Sequence, residues 1–91
     1  MRQHGRTDTN QAEIVDALRA AGCGVISMSS LGCGIPDLLV WSPMTEKYTL
    51  LEVKNQDGKL TAAELEFFAS WPGDKCIVRS VEQALNLIGR I

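Results

Sequence analysis

Asp37, Glu52 and Lys54 are the residues of this chain whose types and spacing could do chemistry together. Asp37 closes the run Gly34-Ile35-Pro36-Asp37 and enters the apolar segment Leu38-Leu39-Val40-Trp41, while Glu52 and Lys54 flank Val53 at the end of the next apolar run. Side chains two apart on a strand project from one face, so Glu52 and Lys54 share a face and Val53 takes the other. If Asp37 to Trp41 pairs antiparallel with Tyr48 to Glu52 through a loop over 42–47, Trp41 stands opposite Tyr48 and Asp37 opposite Glu52. Opposed residues share a face with Cβ atoms roughly 5 Å apart. Two carboxylates that close repel unless something positive lies between them, and oxygen donors of this kind suit Mg²⁺ or Mn²⁺. Lys54 adds a positive charge beside them. Such a set supports metal-assisted hydrolysis of a phosphodiester.

The elements that must hold these residues follow from periodicity and punctuation. Residues 1–8 are polar and without period, and read as a flexible arm. Helix one starts with Thr9 or Asn10 as cap and runs to Ala21, with Ile14, Ala17, Leu18 and Ala21 on one stripe and Gly22 as its stop. A strand over 24–28 follows, then a loop of small residues over 29–34, whose glycines allow close approach to a ligand. After the central hairpin, 55–58 form a turn. Thr61 and Glu64 make a capping box, with Leu60 and Leu65 at the staple positions, for a helix that runs to the Pro72-Gly73 breaker. A strand over 76–79 and a last helix, capped by Ser80 with Gln83 and ending near Gly89, complete the order. The helix between strands three and four is a crossover that brings strand four back parallel to strand three. The expected fold is α/β, with an αβββαβ core and a small mixed sheet flanked by helices.

Composition narrows the class. The 91 residues suit one domain over 1–91, with a core small enough that pairing with a second copy would help. An apolar fraction of 45% with 22% charged residues argues against disorder. No apolar run reaches the ~20 residues that span a bilayer, and the N-terminus lacks the apolar core of a signal peptide, so the expected location is the cytoplasm, with no membrane partner. Cys23, Cys33 and Cys76 form no Cys-x-x-Cys pair and read as free thiols. A net charge of −2 sits awkwardly with a polyanionic partner, although a bound cation would invert the local field.

Pro36, Asp37, Glu52 and Lys54 resemble the PD-(D/E)XK nuclease superfamily. The longer runs Gly34-Ile35-Pro36-Asp37-Leu38-Leu39-Val40, Leu51-Glu52-Val53-Lys54-Asn55 and Gly58-Lys59-Leu60-Thr61 resemble its VRR-NUC group, in the small stand-alone form found in bacteriophages and similar to Holliday-junction resolvases. The resemblance implies the same αβββαβ order and a nuclease acting on DNA with Mg²⁺ or Mn²⁺. It implies metal held by Asp37, Glu52 and the backbone carbonyl of Val53. Lys54 would orient or activate the attacking water. It further implies a homodimer that cuts branched or four-way junction DNA, in a bacterial cell or its phage-infected state.

Several residues carry two readings. Glu13 matches an acidic position on helix one of the resembled group and would then be a metal ligand, but it also stands where it would complete a capping box with Asn10. Glu64, where relatives of this group often carry Gln, is explained by capping. Ser29, Ser30, Lys59 and Arg6 are candidates for contacting nucleic acid, and each also reads as ordinary polar surface. Phe67, Phe68 and Trp71 read as core or as a dimer face. The rival to an enzyme is a non-catalytic nucleic-acid or protein-binding module that keeps the nuclease fold.

Overall fold

A computed structural model of the protein describes residues 10–89; the expected arm over 1–8, with His4 and Arg6, lies outside them. Helix α1 spans Gln11–Ala20, β1 Gly24–Ser27, β2 Leu38–Ser42, β3 Lys47–Val53, α2 Ala62–Ser70, β4 Lys75–Val78 and α3 Val81–Leu87. This is the expected αβββαβ order with a closing helix. Within the segment read as a loop, Ser29–Leu31 forms one 3₁₀ turn.

The four strands lie side by side in chain order. β1 and β2 are antiparallel, as are β2 and β3, and the α2 crossover returns β4 parallel to β3. In the central hairpin Trp41 pairs with Tyr48 and Leu38 with Leu51, the register that the alternation of apolar and polar residues dictates. The Trp41 and Tyr48 rings meet across the strands at 4.9 Å.

Alternation divides the sheet into two unlike faces. Val25, Leu38, Val40, Leu51, Val53 and Val78 point to one side and are buried there with Ile14 and Leu18 of α1 and Ala84 and Ile88 of α3. Ile14 and Leu18 stand four apart, so one stripe of α1 supplies both. Helix α1 ends in a Schellman-type closure: Gly22 adopts a left-handed φ of +95°, and the Cys23 N–H bonds back to the Leu18 carbonyl at 3.0 Å. Buried Ser42 ties the hairpin to α3, its hydroxyl donating to the Ile88 carbonyl at 2.8 Å.

The other face carries Ile26, Leu39, Trp41, Tyr48 and Leu50 on the strands. Helix α2 lies on this side but buries none of its residues. Ile26, Tyr48, Leu65 and Trp71 are all exposed, so the staple expected of Leu65 does not bury it. Phe67 and Phe68 are half-buried, and the first turn of α2 adds specific contacts. Thr61 and Glu64 form the expected capping box, and Gly34 packs against the Ala63 carbonyl.

Gly34 is irreplaceable at that contact for two reasons: its φ is +78°, and a Cβ would strike the Ala63 backbone. Gly34→Ala is therefore expected to lower stability by about 1–3 kcal/mol in urea denaturation, since it combines a left-handed conformation with a backbone clash.

Candidate active site

The hairpin ladder stops one residue short of Asp37, and the site begins there. Leu38 is the last residue of β2 paired with β3. At the next position the Asp37 side chain replaces the missing strand: its Oδ2 accepts the Val53 N–H at 2.9 Å. Its Oδ1 accepts from the Ser29 hydroxyl at 3.4 Å, while its backbone carbonyl accepts the Met28 N–H at 2.7 Å. Both carboxylate oxygens are thereby aimed by donors from different elements. In an extended strand the N–H and C=O of one residue open on the same side, so the Val53 carbonyl faces the gap in which its N–H meets Asp37.

Glu52 lies beside Asp37 and is 2% exposed. Its Oε2 sits 3.5 Å from the Lys54 Nζ, and no hydrogen-bond donor reaches its buried Oε1. Burial, then the negative charges of Asp37 and Glu64, push its carboxyl up to about 8, with Lys54 opposing only in part. Asp37 is also raised, by burial first, against the pull of the Val53 N–H and of a hydrogen bond with Glu52. A carboxyl that holds its proton to such a pH reports first its burial and then the carboxylates beside it.

Lys54 is engaged chiefly by Glu64, whose Oε1 lies 2.9 Å from Nζ. The same oxygen accepts the Thr61 N–H at 2.8 Å, so one carboxylate both caps α2 and holds the lysine. Burial works against the charge on Lys54, but its bond to Glu64 and the nearness of Glu52 hold its pKa above the ordinary lysine value. For Glu64 burial is likewise outweighed, by the Thr61 N–H and Lys54, and its pKa is lowered. Two carboxyls, those of Glu52 and Glu64, thus flank one ammonium.

The start of α1 brings two amides to this end of the sheet. Asn10 makes no cap hydrogen bond with its side chain; its Nδ2 donates instead to the carbonyls of Lys54 and Arg79, at 3.3 and 3.1 Å, bridging β3 and β4 where they end. Gln11, 7% exposed, donates from Nε2 to the Ser29 hydroxyl at 3.3 Å. Glu13, two residues on and so about 200° round the helix, is exposed. It neither forms the cap with Asn10 nor joins the carboxylates, and the side chain that α1 turns toward Asp37 is that of Gln11.

Of the other candidates, Ser29 bonds Asp37 directly, Ser30 and Lys59 are exposed, and Arg6 lies outside the described residues. Two participants were hidden in the sequence. Gln11 sits at a buried helix position that the apolar stripe itself marks, three residues before Ile14. Glu64 was visible as a cap, and its proximity to Lys54 depends on where α2 docks.

The sequence matches the VRR-NUC domain family over residues 2–80. The chain belongs to the VRR-NUC family. A solved structure described as a VRR_NUC domain is similar to it with a TM-score of 0.61 and 26% identity, over 89% of this chain and 96% of that one. No curated protein matches the chain. The VRR-NUC family is of the PD-(D/E)XK nuclease type, so the αβββαβ arrangement is a nuclease fold. Among the described residues no helix is long and apolar enough to cross a membrane.

The raised pKa of Glu52 has a measurable sign. Glu52 carries a folded-state pKa of about 8 against 4.5 for the free side chain, so between those values the folded protein holds a proton that the unfolded chain releases. In EDTA, stability is expected to fall as pH rises from 5 to 8, by about 2–3 kcal/mol at this residue. Glu52→Gln should remove that slope and be the more stable protein at pH 8, as read by urea denaturation across the range.

Proposed function

We propose that this VRR-NUC domain is a nuclease that hydrolyses DNA phosphodiester bonds with Mg²⁺ or Mn²⁺, acts as a homodimer and selects branched DNA, four-way junctions above all. The observation that carries the reading is the convergence of Asp37 and the buried Glu52 where the β2–β3 ladder ends, with Asp37 oriented by the Val53 N–H and Glu52 Oε1 left without a donor.

The donor set fits a hard divalent cation. Asp37 and Glu52 offer carboxylate oxygens, the Val53 carbonyl opens on the same gap, and Glu52 Oε1 is buried without a donor. Among the described residues no cluster of three or more His, Cys, Asp or Glu side chains could hold a metal, and the Val53 carbonyl would add an oxygen to the two carboxylates. A bound ion supplies a water of lowered pKa and stabilises charge on the phosphoryl oxygens. Asp37 and Glu52 would hold that ion, and the Val53 N–H fixes the orientation of the Asp37 carboxylate. Lys54, kept charged by Glu64 and Glu52, is suited to orienting the nucleophile and stabilising charge on the phosphate rather than to removing a proton. Ser30 and Lys59, exposed, and Arg6 are the remaining candidates for contacting the DNA backbone.

The open sheet face supports the homodimer. Ile26 and Tyr48 are 59% and 61% exposed and continue into Trp71 and Leu65, an apolar surface that a second copy would bury. Two symmetric subunits suit two symmetric cuts in a four-way junction.

Cleavage of labelled four-way junction, flap, duplex and single-stranded DNA, with Mg²⁺, Mn²⁺ or EDTA, tests the activity and ranks the substrates. Asp37→Ala and Lys54→Ala are expected to lose at least ~100-fold in cutting rate while melting cooperatively; retained activity in either variant, or equal cutting in EDTA, contradicts the assignment. For assembly, Tyr48→Glu is expected to shift the sedimenting species from dimer to monomer, and a wild type that sediments as a monomer at tens of micromolar contradicts the homodimer.

A further inference from the structure

Gln11 presents a buried amide to the site through a chain of hydrogen bonds whose direction is fixed by proton supply. Asp37, when ionised, can only accept. The Ser29 hydroxyl has a single proton, and it goes to Asp37 Oδ1 at 3.4 Å. Gln11 must then turn its NH₂ group to Ser29, as it does at 3.3 Å. This orientation leaves Gln11 Oε1 buried with no donor. The reverse orientation would set two acceptors against one hydroxyl proton and release Asp37. The arrangement therefore puts the position of Asp37 ahead of satisfying the glutamine.

The orphaned atoms point the same way. Among the described residues the buried side-chain polar atoms without a partner are Asn10 Oδ1, Gln11 Oε1 and Glu52 Oε1. All are oxygens, and their residues bond to, or belong to, the Ser29–Asp37 and Glu52–Lys54 segments. A buried polar atom left without a partner is costly to the fold. Unpartnered oxygens of these residues fit a site built to take a cation or its bound waters.

We propose that Gln11 is a positioning residue for the metal-holding carboxylate, acting on Asp37 through Ser29, and that its amide rather than a carboxylate is required there. The inference rests on the metal-dependent reading above. An acid at this position would lack the NH₂ donor and would add a further negative charge to a site where Asp37 already neighbours Glu52, and Glu52 and Glu64 share Lys54. The charged alternative on the same helix, Glu13, points elsewhere.

The test is Mn²⁺ binding followed by electron paramagnetic resonance, with no DNA present, on wild type, Gln11→Leu, Gln11→Glu, Ser29→Ala and the Gln11→Leu/Ser29→Ala double variant, each checked for a cooperative melt. Gln11→Leu and Ser29→Ala are each expected to weaken Mn²⁺ about 10-fold, the loss typical when an outer-shell partner of a metal ligand is removed. The double variant should be no weaker than the worse single one, because both changes break the same chain. Ser29→Thr, which keeps the hydroxyl, should bind within a few-fold of wild type. With DNA, the Mn²⁺ concentration for half-maximal cutting should rise in the two single variants while the KM for DNA stays put. Wild-type Mn²⁺ binding with unchanged affinity in Gln11→Leu, with additive losses in the double variant, or with full affinity in Gln11→Glu would overturn the positioning role alone. A wild type that binds no Mn²⁺ would overturn the metal-dependent reading and this inference with it. Where Gln11→Leu does not melt cooperatively, Ser29→Ala against Ser29→Thr decides the matter.

Discussion

The molecule turns on a ladder that is cut short. Strands β2 and β3 stay paired from Ser42 and Lys47 to Leu38 and Leu51, and at the next step a side chain takes over from a backbone. The Asp37 carboxylate accepts the Val53 N–H that a continuing strand would have engaged. This substitution satisfies a backbone donor that would otherwise be orphaned, and it leaves the Val53 carbonyl facing a gap beside the Asp37 carboxylate, whose second oxygen is held by the Ser29 hydroxyl. Pro36 before it cannot donate to a ladder, so the strand ends where the acid is needed. Chemistry and strand termination are the same event in this fold.

Around that gap negative charge accumulates on rigid elements. Glu52 comes from a strand whose other face is packed in the core, so it cannot withdraw. Lys54, on the same face, is shared with Glu64 from the first turn of α2. Because Glu64 also caps its own helix, the docking of α2 and the charge state of the site are tied through one oxygen atom. The repulsion stored among these carboxyls is the kind of local cost that a fold tolerates where a ligand will relieve it.

Much of this could be read in the chain beforehand, for identifiable reasons. Period-two alternation is strict in the central hairpin, so the Trp41–Tyr48 register, and with it the facing of Asp37 and Glu52, follows from burial. The Thr61–Glu64 box is a local motif and was legible as one. Helix α1 was legible as an element but not in its details. Whether Glu13 or Gln11 meets Asp37 depends on how the helix is rotated over the sheet, and the stripe of Ile14 and Leu18 fixes that rotation so that Gln11 extends the buried side. Asn10 reads as a cap by type, yet its amide is drawn away by the two carbonyls at the ends of β3 and β4. The second role of Glu64 was hidden because it is a contact across the crossover, between residues whose separation carries no periodic signal.

Helix α2 has no fully buried residue, and its first turn adds the Thr61 box, the Gly34 contact and the Glu64–Lys54 pair. Elements with so little buried apolar area open at a fraction of the free energy that unfolds the whole domain. The body of the sheet, with α1 and α3 against its packed face, does not need α2 in place. Its detachment would give up the Glu64–Lys54 ion pair and the Gly34 contact, and would free the lysine from Glu64. The packed half of the domain therefore fixes two carboxylates, while a helix with no fully buried residue sets the company its lysine keeps, so the local stability of α2 governs the lysine's surroundings separately from the core.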